Sequence, residues 1–123
     1  MQARRMTGVR VGLFVIAAGL IALLPATTHA AAGQWRLAAE AHVAAHQTMP
    51  RSAEIRGDRC AVLVEVEVDR NGLMTDYDVV RPCDSAILMR ETDNLFFRLP
   101  QFPPPPDRTA TTSRLQVVWP PRP

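Results

Sequence analysis

The 123-residue chain has no Cys-x-x-Cys pair, no glycine-rich phosphate loop, and no serine or cysteine set with a histidine in a recognisable nucleophile motif. Those absences remove the redox, nucleotide and acyl-transfer chemistries that such motifs serve. His42 and His46 are four apart and would share a helix face, but no third ligand stands near them and no glutamate follows His42. They read as a solvated helix face, and neither a metal nor another cofactor is expected. The acids Glu65, Glu67, Asp76 and Asp78 alternate with apolar residues, so they read as one wet ribbon face instead of a convergent site. The chain is therefore expected not to be an enzyme, with a small exported enzyme as the minor alternative. A long apolar run is also missing. The longest, Val11 to Leu24, has 14 residues, short of the roughly 20 that a membrane span needs.

That run has a context. Arg4, Arg5 and Arg10 precede it, and Pro25 and the small residues Thr28-His29-Ala30-Ala31 follow it. The order is that of a secretory signal peptide over residues 1–30, with cleavage before Ala31. An uncleaved inner-membrane anchor, drawn from Val9, is the alternative; no lipobox cysteine is present. Removing residues 1–30 takes three of the 14 arginines and none of the 12 acids, so a formal charge of +2 becomes −1. A nucleic-acid binder would keep a basic face after processing, so no nucleic-acid partner is expected. What remains allows one small domain near the size where a core alone gives thin stability.

The stretch from Cys60 to Cys83 organises that domain. Val62, Val64, Val66 and Val68 alternate with other residues, Asn71-Gly72 breaks the pattern, and Leu73 to Val80 resumes it. This is a β-hairpin with a turn at Asp69 to Gly72, in which Asn-Gly supplies the residues that tolerate positive φ. With that turn, Val68 faces Leu73, Val66 faces Thr75, Val64 faces Tyr77 and Val62 faces Val79. One face is apolar and the other acidic. Cys60 falls opposite Arg81, and one bulge or a short extension brings Cys83 alongside it. In an exported chain the two cysteines are expected to form a disulfide, contributing on the order of 3 kcal/mol by loop closure; two free thiols are the alternative.

Gln34 to Met49 is alanine-rich and free of Gly and Pro, which predicts a helix. Residues 50–59 read as a polar connector, so the chain divides into residues 31–59, a helix with its connector, and residues 60–123, the core. Asp84 or Ser85 is a credible N-cap for a second helix running through Leu99. Its apolar stripe, Leu88, Thr92, Leu95, Phe96 and Leu99, should cover the valine face. Phe102 through Pro106 must be extended, since proline fixes φ and lacks an amide donor. Leu115, Val117 and Trp119 alternate with Arg114, Gln116 and Val118, giving a third strand over Thr112 to Trp119. A right-handed crossover that skips one strand yields the order 2-1-3. The expected class is α+β: a two-layer α-β-β-α-β arrangement with a three-stranded antiparallel sheet and both helices on one face.

These pieces resemble the C-terminal domain shared by TonB and TolA, over about residues 50–119. The resemblance is carried by Val62-Leu-Val-Glu-Val-Glu-Val68, Asp69-Arg-Asn-Gly72, Met74-Thr-Asp-Tyr-Asp-Val-Val80, the helix after Asp84, and Phe102-Pro-Pro-Pro-Pro106. The helix at residues 34–49 and the cysteine opening the first strand look more like TolA, and the FPPPP run looks more like TonB. The long periplasmic linker of those transducers is missing from this sequence. The resemblance implies a periplasmic, non-enzymatic protein-interaction module in envelope integrity or TonB-like uptake; an inner-membrane-anchored component of an energy-transducing TonB/Tol system is the alternative. It also implies strand addition of an envelope protein, an outer-membrane receptor or a Tol/Pal-type component, at the edge carrying Arg114, Gln116 and Val118. A homodimer through the same edge is the competing occupant, and a membrane contact is expected only with an uncleaved signal.

Overall fold

A computed structural model of the chain describes Gly19 and residues 26–123; apart from Gly19, residues 1–25 of the expected signal segment lie outside the described residues. Helix α1 spans Ala26–His46, α2 spans Arg51–Arg56, and β1 and β2 span Cys60–Val68 and Met74–Arg81. Helix α3 covers Ala86–Arg98, a short 3-10 turn covers Pro106–Arg108, and β3 covers Thr111–Trp119. The sheet is antiparallel in the order β2-β1-β3, the order expected for a crossover that skips one strand.

Helix α1 begins earlier than the expected Gln34 and stops short of Met49. Alanine carries it backwards. At its end Pro50 disfavours the helical region for Met49, and the His46 Nδ1–H donates to the His42 carbonyl at 2.8 Å, satisfying one of the last acceptors. Trp35, Ala39 and Val43 are buried along one stripe of α1. The expected cleavage point before Ala31 lies inside the helix but ahead of that stripe, so the packed part is intact on either side of processing.

The stretch read as a connector contains α2. This correction has a local cause: Ala53 is fully buried and anchors the turn, while Gly57, at φ 69°, ends it as a left-handed cap whose amide donates to the Glu54 carbonyl at 3.1 Å. Six residues are too few to show a helical period.

The hairpin keeps its faces but not its register. Val66 pairs with Tyr77 and Val64 with Val79, two places further along β2 than the four-residue turn implies. The cause is Leu73, whose amide donates to Asp69 Oδ1 at 3.0 Å while its carbonyl accepts from the Asp69 amide at 2.8 Å. Leu73 then bridges Gln101, and the Met74 amide donates to the Pro100 carbonyl at 2.7 Å, so the chain after α3 takes the place of a ladder rung. A shift of two leaves every side chain on its face, because the period of a strand is two. Glu65 now opposes Asp78 and Glu67 opposes Asp76; Glu67, Asp76 and Asp78 are exposed and Glu65 is half-buried. A second shift between Leu63 and Val64 sets Arg81 against Leu63. Cys83 thereby reaches Cys60, and the two form a disulfide with Cα atoms 5.9 Å apart.

The core lies between the valine face and the two long helices. Val62, Val64, Val66 and Val68 are all fully buried, with Leu115, Val117 and Trp119 beside them. Ser85 caps α3 by accepting the Leu88 amide at 3.3 Å, and its hydroxyl donates to Asp58 at 2.9 Å. Leu88, Thr92, Leu95, Phe96 and Leu99 are buried. Trp119 Nε1 donates to Thr92 Oγ1 at 2.9 Å, and that hydroxyl donates to the Leu88 carbonyl at 2.7 Å. The one buried polar side chain of α3 is thus satisfied twice while tying helix to strand. Tyr77 stacks on Phe96 with ring centroids 4.7 Å apart and donates to Asp93 at 2.9 Å. Burial, and then the Asp93 carboxylate, push its hydroxyl well above the ordinary range.

The proline run is extended through Pro105, while Pro106, expected to continue it, opens the 3-10 turn; the run is also anchored. Phe102 is buried and its amide donates to the Gly72 carbonyl at 2.9 Å, while Trp35 Nε1 donates to the Pro103 carbonyl at 2.9 Å. Gly72, at φ 86°, admits this close crossing: a Cβ there would run into the Phe102 carbonyl oxygen and come within 2.8 Å of that of Pro103.

Two outcomes follow. Leu95→Ala, at a site 1% exposed, should cost roughly 2–4 kcal/mol in denaturant unfolding; an unchanged midpoint would show the stripe is not core. Replacing both cysteines by serine should lower Tm by several degrees, as a loss of about 2–4 kcal/mol predicts for a domain of this size. Scanning calorimetry of the oxidised chain against the double variant measures it.

Candidate functional site

Each strand residue aims its amide and carbonyl at the same neighbour, and successive residues alternate. Strand β3 has β1 on one side only. The Val118 carbonyl accepts a hydrogen bond from Gln47 Nε2 at 2.9 Å, which fixes the even positions as the outward ones. Thr112, Arg114, Gln116 and Val118 therefore present the free row of backbone donors and acceptors. The three residues expected to mark the partner edge, Arg114, Gln116 and Val118, fall on it together.

Their side chains stand on the acidic face. Arg114 lies opposite Glu65 and its guanidinium sits 3.3 Å from that carboxylate, with the arginine side chain 61% exposed. Gln116 is exposed and Val118 half-buried. The edge is bounded at one end by Pro120 and Pro121 and at the other by the 3-10 turn, where Asp107 and Arg108 hold positive φ of 55° and 52°. Between the free edge and α1 runs a groove of about 210 Å³ whose walls include Ala41, Ala44, Gln47, Gln116 and Val118. The groove and its glutamine were not legible beforehand, because nothing in the spacing of Gln47 distinguishes it from other polar residues at a helix end.

The remaining candidates serve the fold. Cys60 and Cys83 are joined. His42 Nε2–H donates to the Gln101 carbonyl at 2.8 Å and its ring lies against those of His46 and Phe102, so the pair fastens α1 to the segment after α3. Among the described residues no group of three or more His, Cys, Asp or Glu side chains is placed to hold a metal ion. No described helix is long and apolar enough to cross a membrane.

An exposed ion pair contributes little to folding, typically under about 1 kcal/mol. Arg114→Ala should therefore leave the urea midpoint nearly unchanged, leaving the residue free to act on a partner. A fall of several kcal/mol would show that the Arg114–Glu65 pair is structural.

The family model described as Gram-negative bacterial TonB protein C-terminal matches residues 45–120. No curated protein matches the chain. Among solved structures, the solution structure of the Helicobacter pylori TonB C-terminal domain, residues 179–285, is similar at 20% identity with a TM-score of 0.59, over 70% of this chain and 79% of that one. A shorter form of the same domain, residues 194–285, is similar at 21% identity with a TM-score of 0.54, over 65% of this chain and 86% of that one. The structures share the fold, and the family match runs from the last turn of α1 through the hairpin, α3 and β3 to Pro120; the chain belongs to the TonB C-terminal family of Gram-negative bacteria.

Proposed function

We propose that the chain is a periplasmic, non-enzymatic interaction module of the TonB type, acting in envelope integrity or TonB-like uptake by receiving an extended segment of an envelope protein along β3. The observation that carries this reading is the regularity of that edge. Strand β3 pairs with β1 through nine consecutive residues, Cys60↔Trp119 to Val68↔Thr111, with no register shift. Strand β2, the other edge, is shifted near both ends and carries Asp76 and Asp78. Bulges and charges of this kind are how proteins blunt an edge, and β3 has no bulge. Main-chain hydrogen bonds from Thr112, Arg114 and Gln116 supply most of the affinity in strand addition, and pockets beside the strand supply the choice of side chain. Arg114 and Gln116 flank the incoming chain. The two prolines after Trp119 keep the added strand short, which suits a peptide segment better than an open-ended assembly.

Gln116→Pro tests it, since it removes one outward amide and no rung of the β1–β3 ladder. Tagged full-length chain, crosslinked in envelopes, should capture an outer-membrane receptor or a Tol/Pal-type component. The variant, its fold verified by circular dichroism, should lose at least tenfold of that capture. Equal capture by a folded variant shows the contact lies elsewhere, and capture of the chain itself alone identifies a homodimer.

A further inference from the structure

Helix α1 does more than cover the core: Gln47, just past its last turn, places a primary amide on the Val118 carbonyl of the β3 edge at 2.9 Å. The chemistry of that contact is the chemistry of strand addition. A side-chain N–H and a peptide N–H are equivalent donors to a carbonyl, so the edge acceptor nearest Trp119 is already filled by the donor type that an added strand would bring. The alternation places the Thr112, Arg114 and Gln116 carbonyls on the same open side, and no other residue among the described ones caps them. Beside Gln47 the α1 side of the groove carries Ala41 and Ala44, with Glu40, Arg122 and Pro123 also lining it, and the short alanine side chains leave room for an aliphatic side chain of a strand laid along β3.

We propose that Gln47 is a displaceable stand-in for the partner's backbone: an incoming extended segment replaces the Gln47 amide on the Val118 carbonyl and lays an aliphatic side chain over Ala41 and Ala44. This rests on the strand-addition reading and adds its regulation. In the free protein the glutamine blunts the last acceptor of the edge, which lowers self-pairing. On capture that hydrogen bond is exchanged for one of the same kind, so the net gain at this position is small and affinity depends on how much of the Thr112 to Val118 row the partner fills. Gln47 lies inside the stretch the family model matches, which starts at Ala45, whereas of the two α1 alanines Ala41 lies well ahead of it and Ala44 just before it.

The test uses the full chain, labelled with 15N, and a blocked hexapeptide of alternating valine and threonine as the probe. Titration of wild type should move the Gln47 side-chain amide resonances to their solvent-exposed positions as the peptide binds. Gln47→Ala and Gln47→Glu, neither of which can donate to Val118, should both bind the peptide about threefold to tenfold tighter, the range expected when a hydrogen bond of ordinary net strength no longer has to be given up. The same peptide N-methylated at alternate amides should show no such gain. Unchanged or weaker binding by both variants, with Gln116→Pro still losing the peptide, overturns the stand-in and leaves strand addition standing. Wild-type binding by Gln116→Pro overturns strand addition and the stand-in with it, as does a peptide that binds none of the proteins. Dimerisation of Gln47→Ala by sedimentation without peptide uptake identifies a second copy as the occupant and overturns the proposal for a partner peptide.

Discussion

Four alternating valines impose the constraint on which this structure depends. Val62, Val64, Val66 and Val68 sit on the central strand with no exposure, so each must be covered by something other than its own hairpin. Burial of side chains of this size stabilises by about 1.5–3 kcal/mol apiece before the entropic cost of ordering is counted. Helix α3 covers one part of the stripe, and Trp35, Ala39 and Val43 of α1 join the same apolar cluster. The opposite face has no such requirement. Its carboxylates face each other across β1 and β2 in pairs made tolerable by water and, at Glu65, by the Arg114 guanidinium.

What was legible in the sequence is what periodicity encodes. Alternation gave the strands and their faces, the stripe from Leu88 to Leu99 gave the orientation of α3, and a crossover taken to skip one strand gave the strand order. The hairpin register was not legible, because a turn of four residues fits the local pattern and the competitor for Leu73 is a segment near Gln101, far along the chain. Helix α2 was hidden for a different reason: one buried alanine and one left-handed glycine specify it, and neither makes a repeating pattern. At the candidate site Arg114, Gln116 and Val118 share the outward row because alternation puts them there, but Gln47, which follows α1 and reaches that row, made no pattern that set it apart.

Several of the polar contacts that cross between elements converge on the segment joining α3 to β3. Trp35 holds Pro103, His42 holds Gln101, and Gly72 receives Phe102. These contacts bring three distant parts of the chain to one place, and the prolines between Phe102 and Pro106 make that segment stiff enough to transmit its position to the start of β3. The run is therefore part of the interior scaffold, with its aromatic neighbour buried and a carbonyl engaged by an indole.

The longest ladder in the sheet also joins the parts most separated along the chain, and that has a consequence for assembly in time. The β1–β2 hairpin closes over a few residues, whereas pairing β3 with β1 closes a loop that contains β2, α3 and the proline run. Pairings of high contact order form late, because the loop between them must be closed before any of their energy is returned. During that interval the valine strand has one side unpaired and its face only partly covered, which is when such a chain is most open to aggregation. The newly made chain is thus most vulnerable at β1, and docking of its last strand ends that exposure.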